Sequence, residues 1–397
     1  MKERLSSRAQ KITPSATLAI DAKAKQMISQ GIDVISFGVG EPDFDTPVHI
    51  REAAIKAIES GFTRYTAASG INELKVAVCA KLKRDNGLAY TPDQIVVSNG
   101  AKHSLYNALM ALVQAGDEVI IPTPYWVSYS EMVKMTDANP VFIETKEAED
   151  FKLQIKDLKA AITPRTKALI LNSPNNPTGM VYTAEELKAI GQVCLEHDLF
   201  VIADEIYEKL VYDGTEHHSI AALVPELKEK TVLINGMSKA YAMTGWRIGY
   251  AASNIDITKA MSSMQSHATS NANSIAQKAS VAALNGPEEP ITAMVAEFAK
   301  RREFMVKRIS QINGLSCRKP QGAFYVMANI SHMFGRTIGG ELIKDDLQFS
   351  RLLLDKAHVA VVPGSAFGAG DFVRLSYATS MEQIREGLDR IDKFING

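Results

Sequence analysis

The chain has 397 residues, enough for two domains with substantial cores, and its 46% hydrophobic and 22% charged content is ordinary for a globular protein. Lys and Arg (44) nearly balance Asp and Glu (45), and the resulting net charge of −1 offers no electrostatic footprint for nucleic acid or an anionic membrane. Three cysteines, Cys79, Cys194 and Cys317, are odd in number and far apart, which points away from a disulfide framework or a zinc site. No apolar core of a signal peptide follows the N-terminal charges and no run is long enough to span a bilayer, so a cytoplasmic, soluble protein is expected.

In chain order, the first feature is Phe37-Gly-Val-Gly-Glu-Pro-Asp-Phe-Asp-Thr-Pro47, a loop punctuated by Gly and Pro. From 95 to 251 short apolar runs alternate with helical patterns: Ile95–Val97, Glu118–Ile121, Ala168–Leu171, Phe200–Ala203 and Val232–Ile234. Runs apolar on both faces are the pattern of buried strands in a mostly parallel sheet. Thr183-Ala-Glu-Glu186 reads as a capping box opening a helix with Leu187, Ile190 and Cys194 on one face. Repeated strand–helix units predict an α/β sheet covered on both sides. Near residue 290 the texture changes. A helical pattern over 287–312 precedes strand candidates at 323–328 and 359–362, which predicts a second, smaller domain.

Residues 236–249, Gly-Met-Ser-Lys-Ala-Tyr-Ala-Met-Thr-Gly-Trp-Arg-Ile-Gly, carry the most chemistry. Lys239 is flanked by small residues, as a pyridoxal-phosphate (PLP) enzyme requires of an amine that must reach an aldehyde. Ser238 and Arg247 suit the cofactor's phosphate dianion. Taken alone, the triplet reads first as an exposed lysine on a loop, and elements elsewhere in the chain reverse that order. Ile95–Lys102 joins a strand to a helix through Gly100 and Ala101, and the free N–H groups and dipole of such a helix start bind phosphate, although turns of this kind are common. Asn172-Ser-Pro-Asn-Asn-Pro-Thr-Gly179 follows the carboxyl end of an apolar strand, where open α/β sheets bind ligands. Asp204 ends another strand, either to pair with a pyridinium nitrogen or as the N-cap of a helix. Arg374 stands in the apolar Phe-Val-Arg-Leu-Ser-Tyr377; once buried it demands an anion, from a substrate or from a structural acid.

The 236–249 stretch fits the lysine signature of the class I and II aminotransferases. From about Ser15 to Leu388 the chain resembles that family, most closely its bacterial-type aspartate and aspartate/prephenate branch. The resemblance implies a PLP-dependent transferase of fold type I. Its large domain (48–290) holds a mostly parallel seven-stranded sheet, and its smaller α/β domain is formed by 1–47 and 291–397. It implies that Lys239 joins pyridoxal 5′-phosphate through a Schiff base. Gly100, Ala101, Lys102, Ser238 and Arg247 then surround the phosphate, completed by Tyr65 from the other chain of a homodimer. Trp126 stacks on the ring, Asp204 meets its nitrogen, and Asn176 and Tyr207 share its phenolic oxygen, with Asn176–Pro177 cis. Arg374, Asn176 and the Gly40 backbone receive the substrate carboxylate beside Trp126, and Lys102, helped by Thr17, reads a distal carboxylate.

Two departures stand out. Gly236 occupies a position where many relatives carry Ser, which shifts the phosphate cup toward Ser238, Arg247 and the 100–102 turn. Around 262–275 nothing matches the neighbour-subunit arginine of animal-type enzymes, so substrate choice does not transfer from that branch. The expected reaction is ping-pong transfer of the amino group of aspartate to 2-oxoglutarate. Prephenate or aromatic specificity, or β-elimination on the same fold, remain open. The sensor domain of a transcription regulator would need a basic DNA-binding module, and the residues before Ser15 hold none. Gly-x-Gly-x-x-Gly, Walker A, His-Glu-x-x-His and Gly-x-Ser-x-Gly are absent, and the eight His show no metal-ligand spacing, so no metal is expected.

Overall fold

The computed structural model describes residues 4–14 and 16–397. The side chains of residues 16–18 and 21 lie outside that description, and with them the Thr17 hydroxyl. A short strand, Ile35–Ser36 (β1), precedes the strands of the main sheet: Ile95–Ser98 (β2), Glu118–Thr123 (β3), Asn139–Glu144 (β4), Thr166–Asn172 (β5), Phe200–Asp204 (β6), Thr231–Gly236 (β7) and Gly249–Ala252 (β8). They form a seven-stranded sheet in the order β2-β8-β7-β6-β5-β3-β4, parallel except for β8, which runs antiparallel to both neighbours. All five apolar runs lie in this sheet. β4 and β8 escape the pattern. β4 is an edge strand whose Asn139, Phe142 and Glu144 are exposed, while β8 is the short run Gly-Tyr-Ala-Ala, buried throughout.

The remaining strands are Ser316–Cys317 (β9), Tyr325–Asn329 (β10), Thr337–Ile338 (β11), Glu341–Leu342 (β12), Val359–Ala360 (β13), Val362–Pro363 (β14) and Phe372–Ser376 (β15). A four-stranded sheet runs β14-β15-β10-β9, β11 and β12 form a hairpin, and β1 pairs in parallel with β13. Register places Arg374 of β15 opposite Met327 of β10 and Val362 of β14. The expected single strand at 359–362 is split at Val361 and serves two different sheets. The helix Glu289–Ile309 buries Met294, Phe298 and Met305 in a core with Phe324, Tyr325 and Tyr377, joined by Ile35 and Phe37 from the N-terminal side.

Local signals hold where they were read. Thr183 N–H donates to Glu186 Oε2 at 2.7 Å and Glu186 N–H to Thr183 Oγ1 at 3.2 Å, and the helix Ala184–Glu196 buries Leu187, Ile190 and Cys194.

The fold brings the start of one helix hard against the start of β8. Gly100, at φ 87°, is the N-cap of the helix Ala101–Leu112. A Cβ on Gly249 would lie 2.1 Å from the Ala101 nitrogen, and one on Gly100 would lie 2.4 Å from Arg247 Nη2. Only glycine permits backbones to close to such distances. Gly249→Ala should therefore lower stability by about 1–3 kcal/mol, the usual cost of overpacking, seen as a lower urea midpoint; a change within experimental error would show that the helix start shifts freely.

Candidate active site

Distant points of the chain converge on one cavity of about 460 Å³ at the carboxyl edge of the main sheet. Ala101 and Lys102 open the helix after β2, Trp126 follows β3, and Asn176 follows β5. Asp204 ends β6 with Tyr207 just beyond, Ser238 and Lys239 follow β7, and Arg247 precedes β8. Gly40, beyond β1, and Arg374, on β15, close the cavity from the other sheet's side. Gly100 stands behind this lining, where its bare Cα lets the Arg247 guanidinium pass. Tyr65 is 90% exposed and does not line this chain's cavity.

On the cavity floor, Asp204 is buried and is followed by a turn rather than a helix, which removes the N-cap explanation. Its Oδ2 accepts from the Tyr129 hydroxyl at 2.6 Å and its Oδ1 from Ile206 N–H at 3.2 Å. Burial pushes its carboxyl up to about 6, against the pull of those two hydrogen bonds. Asn172 ties the neighbouring loop to this strand end: its Nδ2 donates to the Asp204 carbonyl at 2.9 Å and its Oδ1 accepts from Asn176 N–H at 2.8 Å. The Asn176–Pro177 peptide is cis, as the resemblance implied.

Arg374 is 2% exposed. Its Nη1 donates to Asn176 Oδ1 at 3.1 Å and its Nη2 to the Gly38 carbonyl at 2.9 Å, while Nε has no hydrogen-bond partner. The guanidinium carbon lies 4.3 Å from the Tyr325 ring centroid and 5.0 Å from that of Phe367. Among the described residues no carboxylate forms an ion pair with it, so none of them supplies a structural salt bridge. Burying such a charge costs several kcal/mol, which an incoming carboxylate recovers.

Burial also lowers the Lys239 amine to about 8; Glu41 opposes that shift, and Arg374 and Arg247 reinforce it. Lys239 Nζ donates to the Gly40 carbonyl, which ties the lysine to the glycine loop after β1. At the opposite end, no side chain caps the helix starting at Ala101. Arg247, at φ 57°, donates among the described residues only to the carbonyls of Thr244 (2.9 Å) and Asn99 (3.4 Å). Buried Ser238, a guanidinium without an acid and uncapped N–H groups together suit a phosphate-sized dianion. The Gly236 departure has a steric cause: a Cβ there would lie 2.8 Å from Gly249 Cα and 2.9 Å from the Ile248 carbonyl oxygen. Lys102 Nζ sits 4.8 Å from the Trp126 ring centroid, and burial and Arg247 lower its pKa.

Among the lining residues that escaped sequence reasoning are Tyr129, Asn172, Tyr325 and Glu41. Tyr129 and Tyr325 sit in buried elements, where an aromatic reads as core. Asn172 and Glu41 were visible only as parts of the loops already singled out.

Residues 32–391 match the family model described as aminotransferase class I and II. The chain belongs to this family. An aspartate aminotransferase of Geobacillus stearothermophilus is 53% identical over 99% of both chains. An aspartate/prephenate aminotransferase of Nitrosomonas europaea is 45% identical over 99% of this chain and 100% of its own. The crystal structure of the aspartate aminotransferase of Rhizobium meliloti superposes with a TM-score of 0.96, at 47% identity over 99% of both chains.

For this aminotransferase the desolvated lysine gives a direct measurement. Burial favours the neutral amine, so Lys239 should deprotonate well below ordinary lysines, which titrate at about 10.4. In cofactor-free protein, its labelling by an amine-reactive reagent should rise with a midpoint near pH 8, and Glu41→Gln should move the midpoint lower by removing the attractive charge. A midpoint above 10 would place the amine in bulk solvent.

Proposed function

We propose that this aminotransferase carries the amino group of aspartate to 2-oxoglutarate, with pyridoxal 5′-phosphate attached at Lys239. The observation that carries the reading is the pairing of a desolvated Lys239 with Arg374, which among the described residues has no carboxylate partner, in one cavity: a reactive amine beside a receptor for an α-carboxylate. The 53% identical relative named aspartate aminotransferase supports the choice of donor. When bound, the cofactor supplies an aldehyde for amines and an electron-accepting ring.

The residues divide the remaining work. Ser238, Arg247 and the N–H groups of Gly100, Ala101 and Lys102 hold the phosphate, and Trp126 stacks against the ring. Asp204, anionic above about pH 6, keeps a proton on the ring nitrogen, while Tyr207 and Asn176 donate to the phenolic oxygen. Arg374, Asn176 and the Gly40 backbone bind the α-carboxylate of the substrate. Lys239, once free and neutral, takes the proton from the substrate's α-carbon as general base. Lys102 and Thr17 receive the distal carboxylate.

The same reading divides the chain into a large domain over 48–290 and a small one from 1–47 and 291–397, supported by the core that Ile35 and Phe37 share with Phe298 and Tyr325. It also makes the active form a homodimer in which Tyr65 completes the phosphate cup of the adjacent chain. Support comes from the 90% exposure of Tyr65, with Ile55 (53%) and Ile58 (54%) also exposed on the helix Val48–Glu59. A cytoplasmic setting accords with three unbridged cysteines, and no helix among the described residues is long and apolar enough to cross a membrane. Amination of prephenate is a second reading, favoured by the 45% identical relative named for both substrates.

Borohydride reduction of the loaded protein should leave a phosphopyridoxyl group on Lys239 in the peptide map, and a label on another lysine would refute the assignment. Lys102→Ala should lower kcat/KM for aspartate by about ten- to hundredfold, the worth of one charge-assisted contact, while sparing phenylalanine. An equal loss for both donors would assign Lys102 to the phosphate instead. Mixing inactive Lys239→Ala with Tyr65→Phe chains should recover part of the wild-type rate, whereas mixing Lys239→Ala with Arg374→Ala should recover none. Full activity in a monomer would overturn the shared site.

A further inference from the structure

Tyr325 is 1% exposed and opens strand β10, in the smaller sheet, yet it lines the cavity. Two contacts set it apart from a core tyrosine. Its ring face lies against Arg374, 4.3 Å from centroid to guanidinium carbon. Its hydroxyl is 3.0 Å from the hydroxyl of Tyr207, a residue of the opposite sheet's edge. A third constraint comes from above: a Cβ on Gly40 would stand 3.3 Å from the Tyr325 hydroxyl, closer than ordinary side-chain contact. We propose that Tyr325 is a positioning residue for both halves of the site, its ring fixing the carboxylate receptor Arg374 and its hydroxyl orienting the Tyr207 proton into the cavity. This rests on the aminotransferase reading given above.

The directional argument follows from proton counting. Each phenol has one O–H to donate. If Tyr207 donated to Tyr325, it would have no proton left for the cavity. When Tyr325 donates instead, the Tyr207 proton is free to meet an oxygen in the cavity, and the donated bond makes Tyr207 a stronger donor in turn. The ring contact has a separate role. Arg374 has no carboxylate partner among the described residues, so the faces of Tyr325 and Phe367 and two carbonyl oxygens are what hold a desolvated cation in one orientation. One side chain thereby links the group that receives the substrate to the group that faces the cofactor's phenolic oxygen.

Two variants separate the two functions in the PLP-loaded protein. Tyr325→Phe keeps the ring and loses the hydroxyl. KM for aspartate should stay within about twofold, while the pH midpoint of the bound cofactor's visible absorbance rises by about half a unit or more, because a weakened Tyr207 donor stabilises the phenolate less. Tyr325→Leu loses both contacts. It should reproduce that shift and also raise KM about tenfold for aspartate and phenylalanine alike, since the α-carboxylate is common to both. An unmoved absorbance midpoint in Tyr325→Phe overturns the hydroxyl's role, and an unchanged KM in a folded Tyr325→Leu overturns the ring's. A fall in kcat alone in both variants assigns Tyr325 to the core and overturns the proposal. Tyr325→Phe decides the hydroxyl's part even if Tyr325→Leu fails to fold. Wild-type protein that transfers no amino group would refute the underlying reading instead, so the two failures are distinct.

Discussion

Two cations, the buried Arg374 and the half-buried Lys239, stand where the two sheets meet, and among the described residues neither has a carboxylate within ion-pair distance. Desolvation of that kind costs several kcal/mol per charge unless the chain supplies substitutes. Here the substitutes are neutral: the carbonyls of Gly38 and Gly40, the side-chain oxygen of Asn176, and the faces of Tyr325 and Phe367. Each of these must then be held in place. The glycine loop after β1, the cis-proline loop after β5 and the aromatic start of β10 converge on this requirement. A receptor arranged before its anion arrives need not reorganise when it binds, which is where electrostatic catalysis gains most.

Strand direction explains how so many chain segments reach one place. In a parallel sheet every strand ends at the same edge, so the segments after β2, β3, β5, β6 and β7 all open onto the cavity. β8 is the exception that completes the set. Running antiparallel, it begins at that edge, so Arg247, two residues before its start, arrives beside the helix opened by Ala101. Gly236, Gly249 and Gly100 are the steric consequence, since three backbone segments and one guanidinium share a space that leaves no room for a Cβ. The same crowding leaves no room for the serine that many relatives carry at position 236.

Much of the site was legible before any folding was considered, for a reason that can be stated residue by residue. Asp204 and Arg374 are charges inside apolar runs, Asn176 stands in a Pro/Asn turn after a buried strand, and Lys239 sits among small residues; each breaks the pattern around it. Tyr129 and Tyr325 break nothing. An aromatic in a buried helix or strand is what packing alone would choose, and their hydroxyl contacts with Asp204 and Tyr207 span 75 and 118 residues. Strand β4 was illegible because an exposed edge lacks the two-sided apolar run, and β8 because Gly-Tyr-Ala-Ala is too short and carries too few large apolar residues to show a pattern.

The amino-acid sequence by itself determined the alternation of strands and helices, the lysine signature and the residue types able to hold a phosphate, a pyridine ring and a carboxylate, because periodicity and turn chemistry are local properties. Only the tertiary structure decided which of these groups meet and in what electrostatic state. Arg374 reaches Asn176 across 198 residues, and it is burial by elements distant in sequence that moves Asp204 up to about 6 and Lys239 down to about 8. A charge's environment is set by what the fold packs around it, and no window along the chain contains that information.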